Sequence, residues 1–202
     1  MIIIGVCGGS GSGKTTLVHA AKEHLSSDKV SVISQDSFYK QHDSLTFEER
    51  CKLNFDHPDA IDYELFTLQL SKLLKSQPIH TPVYSFSEHL RTDQVNVVMP
   101  KPIVFVEGIL IFAHKGLRNL FSQAIFIDAK QDTRLRRRIE RDTRTRGRTE
   151  DEVKSRFAET IIPMHNQHIE PYKQTADHIF DNDPDDLSRL SSFCNLLDKV
   201  VK

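Results

Sequence analysis

The fold of this chain is decided by one glycine-rich stretch near its start, Gly8-Gly9-Ser10-Gly11-Ser12-Gly13-Lys14-Thr15. The stretch satisfies the pattern G-x-x-x-x-G-K-[ST] of a phosphate-binding loop, or P-loop. The β-branched run at residues 2–6 predicts a buried strand before it, and the apolar spacing of residues 13–25 predicts a helix after it. Strand, loop and helix in this order are the context that makes the pattern specific.

Each residue type in this loop serves the binding of a phosphate chain. Glycines let the backbone wrap phosphates with its N–H groups, and the start of the following helix adds a partial positive charge. Lys14 is expected to reach the outer phosphates, and the hydroxyl of Thr15 is expected to ligate magnesium. The predicted nucleotide-binding residues are Gly8, Gly9, Ser10, Gly11, Ser12, Gly13, Lys14, Thr15 and Thr16.

The rest of the chain alternates between apolar runs and helical patterns. Runs at residues 30–33, 103–106, 124–127 and 178–180 predict four further strands. Asp62 is predicted to cap a helix, and Asp183 with Pro184 is predicted to begin the last helix. The two helices are expected to bury Leu65, Leu68, Leu73 and Leu74, and Leu187, Leu190, Cys194, Leu197 and Val201, respectively. The pattern predicts a single domain over residues 1–202, a three-layer α/β P-loop NTPase with a five-stranded parallel sheet.

Two segments depart from this alternation. Residues 79–99 combine prolines, aromatics and a polar–apolar alternation, which predicts a small β insertion rather than a crossover helix. Residues 132–150 hold eight arginines, of which Arg134, Arg137, Arg138 and Arg141 recur at helical spacing. Between residues 134 and 148 the only acidic residues are Glu140 and Asp142, so this stripe is expected to lack internal partners.

We interpret the arginine-rich segment as a lid that closes over phosphates. Closure would expel water and bring guanidinium groups to the charge that develops on a transferred phosphoryl group, with Arg141 and Arg146 as the catalytic cations. A solvated basic face and a nucleic-acid-binding patch are the alternatives. The few aromatic residues and a formal net charge of -1 disfavour the nucleic-acid patch.

Two carboxylates follow predicted strands. Asp36 comes directly after the second strand and Glu107 ends the third, so both are expected at the carboxyl end of the sheet, where ligands of α/β proteins bind. Asp36 is predicted to accept the proton of an attacking hydroxyl and to share magnesium with Thr15 and Glu107. A helix-capping role is the alternative for Asp36. Lys14 and Asp36 complete the predicted catalytic set with the two lid arginines.

Composition and missing motifs exclude several protein classes. The chain has 202 residues, 38% hydrophobic and 27% charged, which is typical of a globular protein. It has neither a D-x-x-G nor an N-K-x-D motif, which argues against a GTPase switch. A net charge of -1 gives no overall attraction to nucleic acid or to an anionic membrane. The apolar start lacks the basic region of a signal peptide and is too short for a membrane span, so a cytoplasmic location is expected.

Cysteines and a histidine pair suggest no further chemistry. Cys7, Cys51 and Cys194 are odd in number and far apart, so we interpret them as small buried hydrophobes rather than as disulfide or metal-binding residues. His165 and His168 have a spacing that could hold a metal ion, but an exposed helix face is the favoured interpretation.

Four further motifs make the chain resemble the uridine kinase family, also called uridine–cytidine kinases, from Gly5 to about Asp181. The motifs are Ser34-Gln35-Asp36-Ser37-Phe38-Tyr39, Asn54-Phe55-Asp56-His57-Pro58-Asp59-Ala60, Tyr84-Ser85-Phe86-Ser87-Glu88-His89, and Arg137-Arg138-Ile139-Glu140-Arg141-Asp142 ending in Arg146-Gly147-Arg148. The resemblance implies a fold like that of nucleoside and nucleotide kinases, ATP or GTP as donor, and Mg²⁺ as cofactor. It further implies that the γ-phosphate passes to the 5'-hydroxyl of uridine or cytidine, giving UMP or CMP in pyrimidine salvage.

The resemblance also implies an acceptor pocket. Asp36 would be the base toward the 5'-hydroxyl, and Asp56 would hold the ribose hydroxyls together with Arg138 or Arg148. Tyr84 and His89 would read the polar edge of the pyrimidine, Phe86 would pack on the ring, and Tyr39 would belong to the same pocket. The β insertion would then be the nucleoside-binding element. A homotetramer and feedback by pyrimidine triphosphates are further implications.

Three positions depart from the family pattern. Arg156 stands where the family usually has glutamine, Ser85 where it usually has aspartate, and Asn182-Asp183-Pro184 replaces a glycine-bearing loop near the donor base. These departures leave open the choice between ATP and GTP and the ratio of uridine to cytidine. Two other functions stay open: a related P-loop kinase of another small hydroxyl acceptor, such as phosphoribulose or pantothenate, and a non-catalytic, nucleotide-responsive RNA-binding protein.

Overall fold

The computed structural model describes residues 1–183 and 188–201. Its strands are β1 (Ile2–Gly8), β2 (Val30–Ser34), β3 (Ile79–Ser85), β4 (Leu90–Val98), β5 (Ile103–Gly108), β6 (Gln123–Asp128) and β7 (His178–Asp181). Its α-helices are α1 (Lys14–His24), α2 (Phe47–Cys51), α3 (Tyr63–Leu74), α4 (Lys115–Arg118), α5 (Gln131–Thr145), α6 (Glu150–Arg156), α7 (Ile162–His168) and α8 (Ser188–Val200). The predicted positions Pro184 and Leu187 lie outside the described residues.

Five strands form one parallel sheet in the order β2-β5-β1-β6-β7. The central strand β1 is buried from residue 3 onward, as expected of a β-branched run covered on both faces. This confirms the predicted five-stranded parallel sheet. Ser34 of β2 lies beside Glu107 of β5, and Glu107 lies beside Val6 of β1, so the polar ends of these strands meet next to the P-loop.

Helices cover both faces of the sheet. Ile4 of β1 belongs to one buried cluster with Leu17 of α1 and Phe193 of α8. Ile3, whose side chain points the opposite way, belongs to a second cluster with Phe66 of α3. Burial of each such side chain stabilises the fold by about 1.5–3 kcal/mol. The two clusters on opposite faces confirm the three-layer α/β architecture.

Helix α3 begins as predicted but turns a different face inward. The side chain of Asp62 accepts a hydrogen bond from the backbone N–H of Leu65 (3.0 Å), which confirms the cap. The buried residues are Phe66, Leu70 and Leu73, whereas Leu68 and Leu74 are exposed. Residues at i, i+4 and i+7 form one stripe, and the predicted leucines lie partly outside it.

The predicted β insertion is confirmed as the antiparallel hairpin β3–β4, in which Ile79 pairs with Val98 and Ser85 with Leu90. A register shift falls between Pro82 and Tyr84.

The side chains of two arginines help to hold the hairpin to the body of the protein. Arg50 of α2 donates to the backbone carbonyl of Glu88 (2.9 Å), and Arg91 forms an ion pair with Asp62 (3.1 Å).

Two interpretations of cysteine and histidine residues were wrong. Cys7 is buried, but Cys51 is exposed and Cys194 is only partly buried, because Phe193 instead fills the inward position of α8. His165 is not on an exposed face: it is 6% exposed and its Nε2 lies 3.1 Å from Glu170. The turn after α7 folds Glu170 back over the ring.

No helix among residues 1–183 and 188–201 is long and apolar enough to cross a membrane.

Candidate active site

The P-loop joins β1 to α1 with three glycines at positive φ: 148° at Gly8, 81° at Gly11 and 89° at Gly13. Residues with a side chain rarely adopt such angles, so glycine is required for this turn. Gly11 is also required for space, because a Cβ atom there would collide with the backbone carbonyl oxygen of Arg134. The loop therefore rests directly on helix α5, the first part of the predicted lid.

Lys14 is buried at the start of α1 and its Nζ donates to the carbonyl of Gly9 (3.1 Å). Burial lowers the pKa of this ammonium, and the charges of Glu107 and Asp36 oppose that effect. A desolvated ammonium inside a ring of backbone N–H groups attracts phosphate oxygens more strongly than an exposed one would.

Glu107 lies at the end of β5, between Lys14 and the polar end of β2. It accepts hydrogen bonds from the hydroxyl of Ser34 (2.9 Å) and from the hydroxyl of Thr15 (3.4 Å). Burial raises the pKa of this carboxyl, and the charge of Lys14 opposes that rise. Ser34, which the sequence did not single out, thus orients this carboxylate.

Asp36 lies in a short 3-10 turn, Gln35–Phe38, immediately after β2. On one side its negative charge opposes the fall that burial causes in the pKa of Lys14. On the other side it adds to the rise that burial causes in the pKa values of Asp56 and Tyr84. The turn is fixed by Gln35, whose buried side chain accepts from the N–H of Leu110 (2.6 Å). Asp36 therefore stands between the P-loop and a second group of predicted residues.

That second group is an aromatic cluster between the hairpin and the body of the protein. Tyr39 lies 5.0 Å from Tyr84 and 5.3 Å from Phe55 between ring centroids, and Phe86 lies 5.6 Å from Tyr84. His89 stacks on Phe55 at 5.0 Å and 14°. All four predicted aromatic and histidine residues are brought together here. Phe55 completes the cluster; it stood inside a quoted motif without a predicted role.

Among the residues that the structure describes, three polar groups of this cluster have no side-chain hydrogen bond or ion pair. The hydroxyl of Tyr84 is buried and makes no hydrogen bond with the described residues. Asp56 is 6% exposed, and burial raises the pKa of its carboxyl against the opposing charges of Arg138 and Arg156. Burial and the charges of Arg148, Arg156 and Arg50 lower the pKa of His89, which keeps its ring neutral at pH 7.

Asp142 organises the arginines of the lid. This 1% exposed carboxylate lies 2.7 Å from Nε of Arg141, 3.2 Å from Nε of Arg138 and 3.6 Å from Nε of Arg146. The expectation that the arginine stripe lacks internal partners was therefore wrong for these three residues. Arg138 and Arg146 stand four residues to either side of Asp142, a spacing that could have revealed the arrangement.

The paired arginines reach both halves of the site. Nη1 of Arg138 donates to the hydroxyl of Ser10 in the P-loop (2.6 Å). Burial lowers the pKa of Arg138 to about 10, although Asp56 and Asp142 oppose it. The guanidinium of Arg146 lies 4.3 Å from the ring centroid of Phe86, so the lid touches the hairpin.

Asn182, which departs from the family pattern, supports the P-loop. Its Nδ2 donates to the carbonyl of Ser12 (2.6 Å), and its backbone N–H donates to the carbonyl of Asp128 (2.8 Å). Ser85, the second departure, accepts from the N–H of Glu88 (3.2 Å) inside the hairpin turn. The role of Asn182 was not predictable, because Ser12 lies 170 residues away and meets Asn182 only in the folded chain.

One cavity of about 1110 Å³ contains nearly all of these groups. It is lined by Ser10, Gly11, Gly13, Lys14, Thr15 and Thr16 of the loop region, by Asp36 and Glu107, and by the acceptor-side residues Tyr39, Asp56, Tyr84, Phe86 and His89. Arg138, Arg141, Arg146 and Arg148 close it from the lid side. Gly8, Gly9 and Ser12 shape the loop without lining this cavity.

The oxygen atoms of Thr15, Asp36 and Glu107 suit a hard divalent cation. Magnesium usually takes one or two carboxylates and completes its shell with water and substrate phosphates. Among the described residues no group of three or more His, Cys, Asp or Glu side chains could hold a metal by itself. Two carboxylates and a hydroxyl therefore suit an ion that completes its shell with water and a bound phosphate chain.

Comparisons with known proteins agree with this geometry. The model of the phosphoribulokinase/uridine kinase family matches residues 3–188. A uridine kinase of Lactobacillus helveticus is 42% identical over 179 residues, covering 88% of this chain and 85% of the relative. A uridine kinase of Clostridium novyi is 46% identical over 178 residues, covering 88% and 86%. The solved structure of phosphoribulokinase from Rhodobacter spheroides superposes with a TM-score of 0.64 at 16% identity, covering 89% of this chain and 69% of that one, which shows likeness of fold alone.

Proposed function

Because the chain belongs to the phosphoribulokinase/uridine kinase family, we propose that it transfers the γ-phosphate of ATP or GTP to the 5'-hydroxyl of uridine or cytidine. The chain is a kinase of the P-loop type, and its relatives at 42–46% identity are named uridine kinases. One observation supports the proposal above all: a single cavity joins the phosphate-binding loop, Asp36 and a polar aromatic cluster.

The donor nucleotide is held by the P-loop in this proposal. Backbone N–H groups of residues 8–13 and the ammonium of Lys14 bind the phosphates, and the start of α1 adds a partial positive charge. Magnesium, when bound, would neutralise phosphate charge and would be held by Thr15, Asp36 and Glu107. Ser34 keeps the carboxylate of Glu107 turned toward Thr15.

The acceptor lies on the other side of Asp36. Asp56 binds the ribose hydroxyls with Arg138 or Arg148, and the ring of Phe86 packs against the base together with Tyr39. The hydroxyl of Tyr84 and the ring of His89 can each donate a hydrogen bond to the polar edge of the pyrimidine and accept one from it. Asp36 then accepts the proton of the 5'-hydroxyl as that oxygen attacks the γ-phosphorus.

The lid arginines stabilise the charge that develops during transfer. Arg141 and Arg146 are held by Asp142 at the boundary between the two halves of the cavity. Guanidinium groups fixed before the reaction stabilise a transition state without further reorganisation. The stack of Arg146 on Phe86 links their position to the hairpin that binds the nucleoside.

Three features of the proposal concern the whole enzyme. The chain works as one catalytic domain, in the cytoplasm, and as a homo-oligomer, which the family resemblance suggests is a tetramer. Size-exclusion chromatography with light scattering would measure the assembly, and a monomer at micromolar concentration would contradict it.

ADP formation from magnesium–ATP tests the reaction. The acceptors compared are uridine, cytidine, adenosine, ribulose 5-phosphate and pantothenate. We expect turnover with uridine or cytidine and none with the other three. Turnover with ribulose 5-phosphate or pantothenate alone would contradict the proposed acceptor and leave only a phosphotransferase of the same fold.

A further inference from the structure

His89 brings its imidazole ring to the cavity through an unusual backbone conformation. Its φ is 53°, in the left-handed region that residues other than glycine rarely adopt. Such a conformation is energetically unfavourable and persists only where the surrounding structure holds it. His89 ends the turn that joins β3 to β4, and its side chain lines the cavity. Glycine would relieve the strain but would leave the cavity without the ring, so the strain accompanies a side chain that faces the site.

One segment of the chain, residues 40–52, bonds to the hairpin on both sides of this histidine. We call this segment the strap. Nε of Arg50 donates to the carbonyl of Glu88 (2.9 Å), the residue just before the histidine. Oε1 of Gln41 accepts from the N–H of Arg91 (2.9 Å), the second residue after it. Two hydrogen bonds from the strap therefore hold the backbone on either side of the strained residue.

Arg50 is the buried anchor of the strap. It is 8% exposed and belongs to α2, whose start is fixed by a capping box between Thr46 and Glu49. Its Nη1 donates to the carbonyl of Leu45, and its guanidinium lies 6.0 Å from the ring centroid of Phe47. Hydrogen bonds from a charged donor are stronger than those from a neutral one. One guanidinium thus joins the strap to the turn of the hairpin.

The strap also encloses the imidazole ring. His89 is 9% exposed, and its ring stacks on Phe55, just after the strap, at 5.0 Å and 14°. Phe47, within the strap, lies 6.4 Å from the same ring. Arg50 is absent from the described residues that line the cavity, so it acts on a bound molecule only through residues that do line it.

We propose that Arg50 is a positioning residue that holds His89 in place for the base of the nucleoside. The inference rests on the proposed function, in which His89 reads the polar edge of the pyrimidine. Arg50 fixes the carbonyl of Glu88, and the left-handed backbone of the next residue then directs the imidazole ring into the cavity beside Phe55. Without this bond the turn relaxes to a less strained conformation, and the ring loses its fixed direction.

Steady-state kinetics of Arg50→Met tests the inference. Methionine keeps an unbranched side chain but has no donor, so we expect KM for uridine to rise about tenfold. The value of kcat and the KM for ATP should stay within about twofold, because the lost bond orders only the base-binding side. Urea unfolding establishes that the variant is folded.

Arg50→Lys carries the test if the methionine variant does not fold. Lysine keeps the charge, but its single ammonium lacks the planar fork that reaches two carbonyls at once. KM for uridine should then rise about threefold, less than in the methionine variant. An unchanged KM for uridine in a folded variant of Arg50 would overturn the inference.

A matched control removes an arginine with similar contacts elsewhere. Arg118 also donates to a backbone carbonyl, that of Thr175 (3.3 Å), lies 5.3 Å from the ring centroid of Phe112, and pairs with Asp177 (3.6 Å). It is likewise absent from the described lining of the cavity. Arg118→Met should leave KM for uridine unchanged, even where it lowers stability. An equal rise of KM in both variants would assign the effect of Arg50 to general loosening of the fold and overturn the inference.

A double-mutant cycle tests whether Arg50 acts through the imidazole ring. In the background of His89→Ala there is no ring to position, so adding Arg50→Met should raise KM for uridine no further. A further tenfold rise would mean that the two residues act independently, and it would overturn the positioning role.

Nuclear magnetic resonance of ¹³C-labelled histidine, without substrate, separates this inference from the proposed reaction. The ring resonance of His89, assigned with His89→Ala, should move in Arg50→Met as the ring leaves Phe55. That of His24, which pairs with Asp198 (3.0 Å), should not move. The expected movement, with no uridine binding in calorimetry, would support the positioning role and contradict the proposed function. Turnover of uridine with the same KM in Arg50→Met would overturn the inference and leave the proposed function standing.

Discussion

Nε of Arg141 lies 2.7 Å from Oδ1 of Asp142, a carboxylate that is 1% exposed. The same carboxylate group is also within ion-pairing distance of Arg138 and Arg146. One buried negative charge thus holds three positive charges at the boundary between the P-loop and the aromatic cluster. Without it, the three guanidinium groups would repel one another and spread into solvent.

Asp142→Asn should therefore weaken both catalysis and stability. The amide keeps the shape but not the charge, so we expect kcat to fall by about 10² as the arginines lose their fixed orientation. The free energy of unfolding should fall by about 2 kcal/mol, less than for a fully buried pair, because Arg141 and Arg146 are partly exposed. Steady-state kinetics and urea unfolding measure the two effects. Asp132→Asn, an exposed change on the same helix, should leave both unchanged.

Asp36→Asn should remove the proton acceptor together with one carboxylate ligand of magnesium, and leave the P-loop itself unchanged. We expect kcat to fall by about 10²–10⁴, while binding of the donor without magnesium, followed by calorimetry, changes little. Asp93→Asn, on the exposed strand β4, serves as the control. Full activity of Asp36→Asn would show that another group accepts the proton.

Asp56 should select for the ribose hydroxyls. A buried carboxylate left without its hydroxyl partner is costly, so uridine should exceed 2'-deoxyuridine in kcat/KM by up to about 10⁴. Asp56→Ala should lower kcat/KM for uridine and bring the two substrates close together. Asp59→Ala, an exposed change three residues away, should preserve the discrimination. Equal rates for both nucleosides with the unaltered enzyme would contradict the role of Asp56.

His165 should make the fold sensitive to acid. Burial, and next the charge of Arg134, lower its pKa to about 4, so between pH 4 and 6.5 the unfolded chain binds a proton that the folded chain does not. The free energy of unfolding should thus fall as pH falls, by about 2 kcal/mol from pH 7 to pH 5. His165→Gln can keep the hydrogen bond to Glu170 but cannot be protonated, so urea unfolding should show a flatter pH dependence. If the exposed change His80→Gln flattened it equally, His165 would not be the cause.

Local patterns were sufficient for the framework of the fold. The P-loop signature between a β-branched run and an apolar helix predicted the strand–loop–helix unit, and four further runs predicted the remaining strands of the parallel sheet. The alternation at residues 93–98 likewise predicted the hairpin. These features depend on residues that are neighbours in the chain, such as Gly11 and Gly13, whose positive φ angles shape the loop. They can therefore be predicted from the sequence.

Side-chain partnerships were less predictable where they join distant segments. The helix face of α3 was misjudged because the segments that cover it come from elsewhere in the fold. The burial of His165 was misjudged because the turn after α7 folds Glu170 back over the ring. Asn182 donates a hydrogen bond to Ser12, which lies 170 residues away in the sequence, and no local pattern predicts such a contact.

The sequence by itself determined the P-loop, the parallel sheet, the hairpin and the residue types available for phosphoryl transfer. Only the tertiary structure decided which charges are paired, and it brings Arg138, Arg141 and Arg146 to Asp142. The reason is physical. Backbone conformation follows from local sterics and periodicity, whereas the pairing of a charge depends on burial and on distances that exist only after the helices have packed.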